Sequence, residues 1–270
     1  MNFSERIKSI IKKKDSNVCV GLDSDPAKIP GCIEGSEGER ILEFNKQIIE
    51  ATSEHAAAYK FNMAFYEAAG IEGYIALADS IKLISWNSLI ILDGKRGDIG
   101  NTSAQYAKAL FDGLSADAVT VNPYMGFDSV EPFLKFEEKG IFALCLTSNK
   151  GSFDFQKAKL ENGKPLFISV AEKLSDWNHK GNIGIVVGAT HPDELQLIRK
   201  ILPDSPFLIP GIGAQQGDLE KTVAAGIGKD KAPALINSSR GIIFSSDGED
   251  FAESAGFKSR ELKESINNCL

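Results

Sequence analysis

The sequence is poor in the residues that mark secreted, metal-binding or membrane-spanning proteins. Its 270 residues include only four cysteines and three histidines, with no Cys-x-x-Cys pair and no metal-ligand spacing. Cys19 and Cys145 lie in apolar runs, so we expect buried free thiols, which suit a reducing cytosol. No apolar run approaches membrane-spanning length, and the N-terminus indicates an amphipathic helix rather than a secretory signal. These absences favour a cytoplasmic protein that does not contact membranes.

An excess of positive charge is also missing. The formal net charge is −7, which argues against a surface that binds nucleic acid or anionic membranes. Any phosphate-binding site must therefore be local. Hydrophobic residues make up 43% and charged residues 25% of the chain, as in ordinary globular proteins, so there is enough apolar material for a core. The length fits one large α/β barrel or two small domains.

Strand-like and helix-like segments alternate along the chain. The predicted strands are 18–22, 56–61, 89–93, 118–121, 141–147, 183–187, 207–209 and 234–237. The predicted helices are 37–54, 63–86, 102–113, 129–139, 164–180, 192–201, 219–225 and 241 onward. Eight strands that are each followed by a helix favour a single α/β domain over residues 1–270, a (β/α)8 TIM barrel. A doubly wound sheet is the alternative, but it usually has fewer strands or a glycine-rich loop after the first strand, and that loop is missing.

The third predicted strand and the turn after it carry the most unusual pattern in the sequence. Because side chains alternate across a strand, Ile91, Asp93 and Lys95 share one face. Buried charges are costly unless they are paired or used, so Asp93 and Lys95 are candidates for a functional site. A solvated surface ion pair is the alternative interpretation. For the helix that follows, the alternative is that Asp98 or Asn101 serves only as its N-cap.

Polar side chains also stand near the ends of other strands. Asp23 follows the first strand, where a turn-initiating aspartate is the alternative. On the second strand, Ala56, Ala58, Lys60 and Asn62 are predicted to share a face. Packing does not explain a lysine on such a face, which makes Lys60 a candidate for a functional site. A solvated lysine at the end of the strand is the alternative interpretation. Because barrels place their chemistry at the C-terminal ends of the strands, we expect these side chains to meet in one cleft.

Two segments late in the chain are candidates for phosphate binding, since barrels often bind phosphate after strands seven and eight. One is the glycine-containing stretch 210–218. The other contains Arg240, which stands where a helix should begin. A cation is disfavoured at a helix N-terminus, and a bound anion would resolve that conflict. An arginine turned to solvent or to a surface carboxylate is the alternative.

The stretch Asp93-Gly-Lys-Arg-Gly-Asp-Ile-Gly-Asn-Thr102 closely resembles the signature of the orotidine 5′-phosphate decarboxylase family, in particular its longer subgroup. The segment 121–126, Val-Asn-Pro-Tyr-Met-Gly, resembles the same subgroup. The resemblance implies a homodimer that converts orotidine 5′-phosphate to uridine 5′-phosphate without cofactor or metal, in the last step of de novo pyrimidine nucleotide synthesis. It implies a charge network of Lys60, Asp93, Lys95 and the partner subunit's Asp98. Asp98 and Thr102 would reach across the dimer interface into the neighbouring subunit's site. Lys95 would be the proton donor.

The resemblance also implies how the substrate is bound. The residues that it assigns to substrate binding are Asp23, Asn62, Thr102, Ser148, Gly213, Gln215 and Arg240. Asp23 would bind the ribose. Ser148 would hydrogen-bond the pyrimidine, with the adjacent Thr147 as the register alternative. Gln215 would bind phosphate from a loop that closes over it, with Gln216 as the alternative.

Two other functions remain compatible with the sequence. A metal-dependent sugar-phosphate decarboxylase or aldolase of the same barrel group can share the Asp-x-Lys-x-x-Asp pattern, and it would hold an enediolate with a divalent cation. A non-catalytic barrel that binds a phosphate ligand would keep the phosphate-binding residues without the chemistry. Sensitivity to a chelator identifies the first, and nucleotide binding without turnover identifies the second.

Overall fold

Eight parallel strands close into a barrel in which each strand pairs with the next along the chain and the last pairs with the first. The structure, a computed structural model, describes residues 1–212, 218–228 and 232–270. The strands are β1 (Val18–Leu22), β2 (Ala56–Asn62), β3 (Leu89–Arg96), β4 (Ala118–Val121), β5 (Gly140–Leu146), β6 (Ile183–Val187), β7 (Phe207–Pro210) and β8 (Ala234–Ser238). The predicted TIM barrel is confirmed, and the doubly wound alternative is wrong.

One helix precedes the barrel, and helical segments follow every strand. The helices are α1 (Phe3–Lys14), α2 (Glu37–Thr52), α3 (Met63–Ala68), α4 (Gly70–Lys82), α5 (Gly100–Lys108), α6 (Phe127–Leu134), α7 (Leu166–Trp177), α8 (Pro192–Ile201), α9 (Leu219–Gly226), α10 (Arg240–Ile243) and α11 (Phe251–Asn268). Shorter 3-10 turns occur at Pro26–Lys28, Pro123–Met125 and Lys150–Phe153, and a π-helical turn at Ala109–Gly113. No helix in the described part of the chain combines the length and the hydrophobicity needed to cross a bilayer.

The single helix predicted for residues 63–86 is in fact two helices. The first ends at Ala68, and the second starts at Gly70, whose φ of +65° is a left-handed conformation that interrupts the helix. The second helix ends at Lys82. Beyond it the chain turns, with the Ser88 N–H donating to the Ser85 carbonyl at 3.0 Å. Serine and asparagine favour such turns because their side chains compete for backbone hydrogen bonds.

The interior of the barrel is apolar and is closed at one end by α1. Phe3, Ile7 and Ile10 of this helix pack on the interior side chains. Those side chains include Cys19, Ala58, Leu89, Ile91, Ala118, Phe142, Val186, Leu208 and Leu235. Gly140 at the start of β5 makes room for the helix, because a Cβ there would lie 2.1 Å from the Phe3 ring. The barrel is therefore plugged at the N-terminal ends of its strands and open at their C-terminal ends. The buried thiols of Cys19 and Cys145 are free, as predicted.

The alternation of side chains on β2 is interrupted at its start. The pairing of β1 with β2 shifts between Val18 and Cys19, so that Val18 faces Ala56 but Cys19 faces Ala58. As a result, Ala56 packs in the layer between barrel and helices, whereas Ala58 packs inside the barrel. The prediction that Ala56 shares the interior face is therefore wrong. From Ala58 onward the alternation holds, and it carries Lys60 to the open end.

A half-buried arginine forms hydrogen bonds with the segments that lead into β7 and β8. The Arg199 guanidinium stacks 3.4 Å from the centre of the Phe207 ring. It donates hydrogen bonds to the backbone carbonyls of Gly226 (2.9 Å), Leu202 (3.1 Å), Pro203 (3.3 Å), Ser205 (2.7 Å) and Pro233 (3.1 Å). Burial lowers the pKa of Arg199 to about 9. Carbonyl dipoles thus stabilise a charge that is largely removed from water.

We expect Arg199→Met to lower the free energy of unfolding by about 3 kcal/mol, because several buried carbonyls lose their donor. Arg260→Met is the matched control, since Arg260 also lies over a phenylalanine, at 5.5 Å from the Phe257 ring, but at the surface. It should change the stability by less than about 0.5 kcal/mol. Urea denaturation measures both, and equal losses in the two variants would contradict the role given to Arg199.

Candidate active site

The C-terminal ends of the strands surround an open cavity of about 540 Å³, a size suited to a small-molecule ligand. Its polar lining side chains are Asp23, Lys60, Asn62, Asp93, Lys95, Thr120, Thr147, Ser148, Asn149, Gln156, Asn237, Ser238, Ser239 and Arg240. Apolar lining comes from Leu144, Val186, Leu208 and Ile212. Among the described residues, no group of three or more His, Cys, Asp or Glu side chains is arranged to hold a metal ion.

Four charged side chains form a line of alternating sign in this cavity. Lys60 Nζ lies 3.5 Å from Asp23 Oδ1 and 3.2 Å from Asp93 Oδ2. Lys95 Nζ lies 2.7 Å from Asp93 Oδ1. Asn62, at the end of β2, lines the same cavity. The structure thus brings together three of the predicted catalytic residues and adds the carboxylate of Asp23 to their line.

Burial disfavours the ionised forms of the side chains in this line, but the attraction between neighbouring opposite charges has the larger effect. The side chain of Lys60 is 5% exposed and that of Asp93 is 11% exposed, so desolvation disfavours both ionised forms. Asp93 and Asp23 nevertheless raise the pKa of Lys60 above its usual value. Lys60 and Lys95 hold the pKa of Asp93 well below its usual range. Both groups are therefore ionised at neutral pH.

The backbone at Lys95 adopts an unusual conformation. Its φ is +47°, in the left-handed region that residues other than glycine rarely adopt. The Lys95 N–H donates to Thr120 Oγ1 (2.9 Å), and the Thr120 hydroxyl donates to Asp93 Oδ1 (2.7 Å). Thr120 therefore fixes the backbone of one charged residue and the carboxylate of the other. Backbone strain that is held in place by its surroundings is typical of functional sites.

Sequence reasoning missed Thr120 and Asn237, although a signal for both was present. Each follows an interior residue by two positions, Thr120 after Ala118 on β4 and Asn237 after Leu235 on β8. Period-two alternation therefore places both polar side chains on the interior face at the open end. Asn237 Oδ1 is buried and accepts no hydrogen bond within the described residues.

After β5, the two register alternatives Thr147 and Ser148 both line the cavity, but their hydroxyls differ. The Thr147 hydroxyl donates to Asn149 Oδ1 (2.6 Å) and accepts from Gln156 Nε2 (2.9 Å). The Thr147 N–H donates to Gln156 Oε1 (2.7 Å). The Ser148 hydroxyl has no such bond within the described residues, so it is available to a ligand. Gln156, which sequence reasoning missed, holds the turn that presents Ser148.

Arg240 and the first turn of α10 form the end of the cavity next to β8. Arg240 begins the helix, as predicted, and it is exposed. Ser239 before it packs closely on β1, because a Cβ at Gly21 would lie 1.9 Å from Ser239 Oγ. The position of Gly21 therefore requires glycine. The predicted phosphate-binding residues that lie outside the described part of the chain are Gly213, Gln215 and the alternative Gln216.

Asp98 and Thr102 do not line the cavity of their own chain. Asp98 Oδ1 accepts a 2.7 Å hydrogen bond from the Ile99 N–H, and its carboxylate takes no part in the line of charges described above. The N-cap of α5 is Ile99, with no side-chain cap. The alternative in which Asp98 or Asn101 caps this helix is therefore wrong.

Comparison with known proteins identifies the family. A profile of the "Orotidine 5'-phosphate decarboxylase / HUMPS family" matches residues 16–255. The chain belongs to the orotidine 5′-phosphate decarboxylase family. A family member from Dehalococcoides mccartyi, named orotidine 5′-phosphate decarboxylase, is 47% identical over 271 residues, which cover 99% of this chain and 98% of that protein.

Solved structures of similar proteins share the fold over the whole chain. The OMP decarboxylase of Leishmania donovani has a TM-score of 0.85 at 39% identity, and the match covers 100% of this chain and 98% of that one. The UMP synthase of the same organism has a TM-score of 0.87 at 40% identity, and the match covers 100% of this chain but 56% of that one. The family's barrel thus also occurs within a longer protein.

We expect Asp93→Asn to lower the free energy of unfolding at pH 7 by about 3 kcal/mol, because it leaves the buried Lys60 ammonium without its nearest carboxylate. The pKa of Asp93 in the folded protein lies below its ordinary value of 3.8. The stability that this carboxylate contributes is therefore present above that pH and is lost as the pH falls below it. The difference in stability between wild type and Asp93→Asn should stay constant from pH 7 to about pH 4 and shrink below that.

Urea denaturation across this pH range measures the difference. Asp79→Asn is the control, since Asp79 forms a 2.7 Å ion pair with Lys82 at the surface. Exposed pairs contribute little, so this variant should match wild-type stability to within about 1 kcal/mol at every pH. A destabilisation by Asp93→Asn that grows toward acid pH would contradict the lowered pKa.

Proposed function

We propose that the protein catalyses the decarboxylation of orotidine 5′-phosphate to uridine 5′-phosphate without a cofactor, as the last step of de novo pyrimidine nucleotide synthesis. Family membership and the name of a full-length relative support a carboxy-lyase. The observation that carries the proposal is the position of Lys95, 2.7 Å from Asp93 at the exposed end of the line of charges. Its ammonium is the proton donor that faces the cavity.

In the proposed mechanism the two lysines differ in role because they differ in exposure. Lys60 lies between two carboxylates and keeps them ionised, whereas the side chain of Lys95 is 48% exposed and can meet a ligand. The carboxylate of the substrate would lie near Asp93. When its bond to the ring breaks, carbon dioxide leaves and the electron pair stays on the ring carbon. The Lys95 ammonium stabilises this charge and then protonates the carbon.

The other polar side chains of the cavity bind the rest of the substrate in this proposal. Asp23 binds the ribose, for which its Oδ1 is suited because it is buried and accepts no hydrogen bond within the described residues. Asn62, which lines the same cavity, is a further substrate-binding residue. The Ser148 hydroxyl binds the pyrimidine. The proposed phosphate ligands are Arg240, Gly213 and Gln215.

The proposal includes a cytoplasmic homodimer with shared sites. Lys95 has one carboxylate neighbour in the described part of its own chain, Asp93, and the partner subunit's Asp98 would be the second. Thr102 would enter the neighbouring site with it. Exposed apolar side chains on α5 and around the starts of α5 and α6 support such an interface. They are Ile99, Tyr106, Tyr124, Met125 and Phe127.

The direct test is the change in absorbance as orotidine 5′-phosphate is consumed, measured with and without a chelator. The proposed enzyme turns over at the same rate in both conditions. A metal-dependent decarboxylase or aldolase would be inhibited by the chelator. A non-catalytic barrel would bind uridine 5′-phosphate without changing the absorbance of orotidine 5′-phosphate. Either of these results would replace the proposed function with its rival.

In the same assay, Lys95→Ala should lower kcat by at least about 10³-fold, because the general acid is lost. Binding of uridine 5′-phosphate should survive, since the phosphate and ribose ligands remain. Lys173→Ala is the control, because Lys173 is an exposed lysine on α7. It should keep the wild-type rate. Near-normal turnover by Lys95→Ala would remove Lys95 from the chemistry.

Mixing Lys95→Ala with Asp98→Ala subunits tests the shared site. Half of the randomly reassorted dimers are mixed, and each mixed dimer has one site with both residues intact. About a quarter of the wild-type activity should therefore return, whereas each variant alone stays inactive. Subunit exchange is verified with differently tagged chains. Exchange without recovery would place the action of Asp98 within its own chain.

A further inference from the structure

Four polar side chains at the end of β1 are fully buried and bonded to one another. The Ser24 hydroxyl donates to Asn45 Oδ1 (2.6 Å), and the Asn45 amide donates to the Tyr66 hydroxyl (3.1 Å) and to Ser80 Oγ (2.9 Å). The Tyr66 hydroxyl in turn donates to the Leu22 carbonyl (2.9 Å). We call Ser24, Asn45, Tyr66 and Ser80 the β1 network.

The β1 network is not explained by packing alone. Buried polar groups cost free energy unless they are fully bonded, and apolar side chains of similar volume often stabilise a core as well or better. The network spans α2, α3 and α4, and it meets β1 and the turn after it at two points. These are the Leu22 carbonyl and the Ser24 hydroxyl, which lie on either side of Asp23. The network therefore fixes the backbone that presents Asp23.

Asp23 depends on this backbone, because its own side chain is weakly held. Asp23 Oδ1 lies 3.5 Å from Lys60 Nζ and accepts no hydrogen bond within the described residues. Tyr66 belongs to α3, which directly follows β2 and its Lys60. Its hydroxyl thus links the end of β1 to the helix that follows β2.

We propose that Asn45 and Tyr66 are positioning residues that hold Asp23 at its distance from Lys60. This inference rests on the proposed function, in which Asp23 binds the ribose. Asn45 and Tyr66 are both 0% exposed and lie outside the cavity lining, so they act through Asp23 and not on the substrate. A displacement of about 1 Å in a binding group can cost about 10²-fold in rate.

Tyr66→Phe removes one hydroxyl and keeps the ring, which packs 5.7 Å from the Phe61 ring centre. We expect kcat/KM to fall at least about 10-fold. Tyr59→Phe is the matched control, because Tyr59 is equally buried and its hydroxyl also bonds to a carbonyl, that of Ile49 (3.1 Å), and to a hydroxyl, that of Thr52 (2.9 Å). This control should keep kcat/KM within about twofold while losing a similar amount of thermal stability.

A double-mutant cycle with Asp23→Asn separates positioning from general destabilisation. Asp23→Asn should lower kcat/KM by itself, and Tyr66→Phe should then change kcat/KM by less than about twofold in that background. Ser24→Ala, which cuts the bond on the other side of Asp23, should reproduce the loss seen in Tyr66→Phe and serves if that variant does not fold. The matched Tyr59→Phe change should remain fully additive with Asp23→Asn.

The outcomes are distinct. Wild-type turnover together with equal kcat/KM in Tyr66→Phe and Tyr59→Phe would overturn the inference and leave the proposed function standing. The inference would also be overturned if the fold-losses in kcat/KM caused by Tyr66→Phe and Asp23→Asn were simply multiplied in the double variant. A wild-type protein that does not turn over orotidine 5′-phosphate would overturn the proposed function and this inference with it.

Discussion

The ion pair between Lys60 and Asp93 is the interaction on which the rest of the site depends. An ammonium or a carboxylate so far removed from water would become neutral if it stood alone. At 3.2 Å each group keeps the other ionised, and Asp23 and Lys95 extend the same compensation on either side. The barrel accommodates such a pair only where its apolar interior gives way to the open end. The plug formed by α1 leaves the C-terminal ends of the strands as that place.

Because of the strand register, the charged side chains of β2 and β3 lie at different depths below the open end of the barrel. Asn62 of β2 pairs with Asp93 of β3, whereas Lys60 pairs with Ile91, two residues deeper. The exposed fraction of the side chain rises from 5% at Lys60 through 11% at Asp93 to 48% at Lys95. The deep lysine is held between two carboxylates, whereas the outer lysine has one carboxylate neighbour among the described residues and is the more accessible of the two to a ligand. Two residues with the same functional group are therefore suited to different chemistry.

Period-two alternation is strong enough to place Lys60, Asp93 and Lys95 in one cleft from the sequence, because a charge stands out among apolar positions that face a barrel interior. The same alternation places Thr120 on the interior face, but its role does not stand out, since threonine is common on either face of a strand and its bonds join residues that are distant in the chain. The interior position predicted for Ala56 is wrong because a bulge among successive alanines leaves no trace in the hydrophobic pattern. The fold itself was predictable because eight repeats of strand and helix average out such local errors.

The charges of the site also indicate how a chain with a net charge of −7 can serve an anionic substrate in the proposed function. The line of charges sums to zero, since two carboxylates alternate with two ammonium groups. It therefore does not attract an anion as a whole, and in the proposed function the attraction comes from the proposed phosphate ligands, of which Arg240 carries the positive charge. Binding energy released at the phosphate would then bring the substrate carboxylate beside Asp93, which is how a remote group contributes to a chemical step. In the proposed function, affinity for the substrate thus comes mainly from the β8 side of the barrel, and the chemical step takes place at the β3 side.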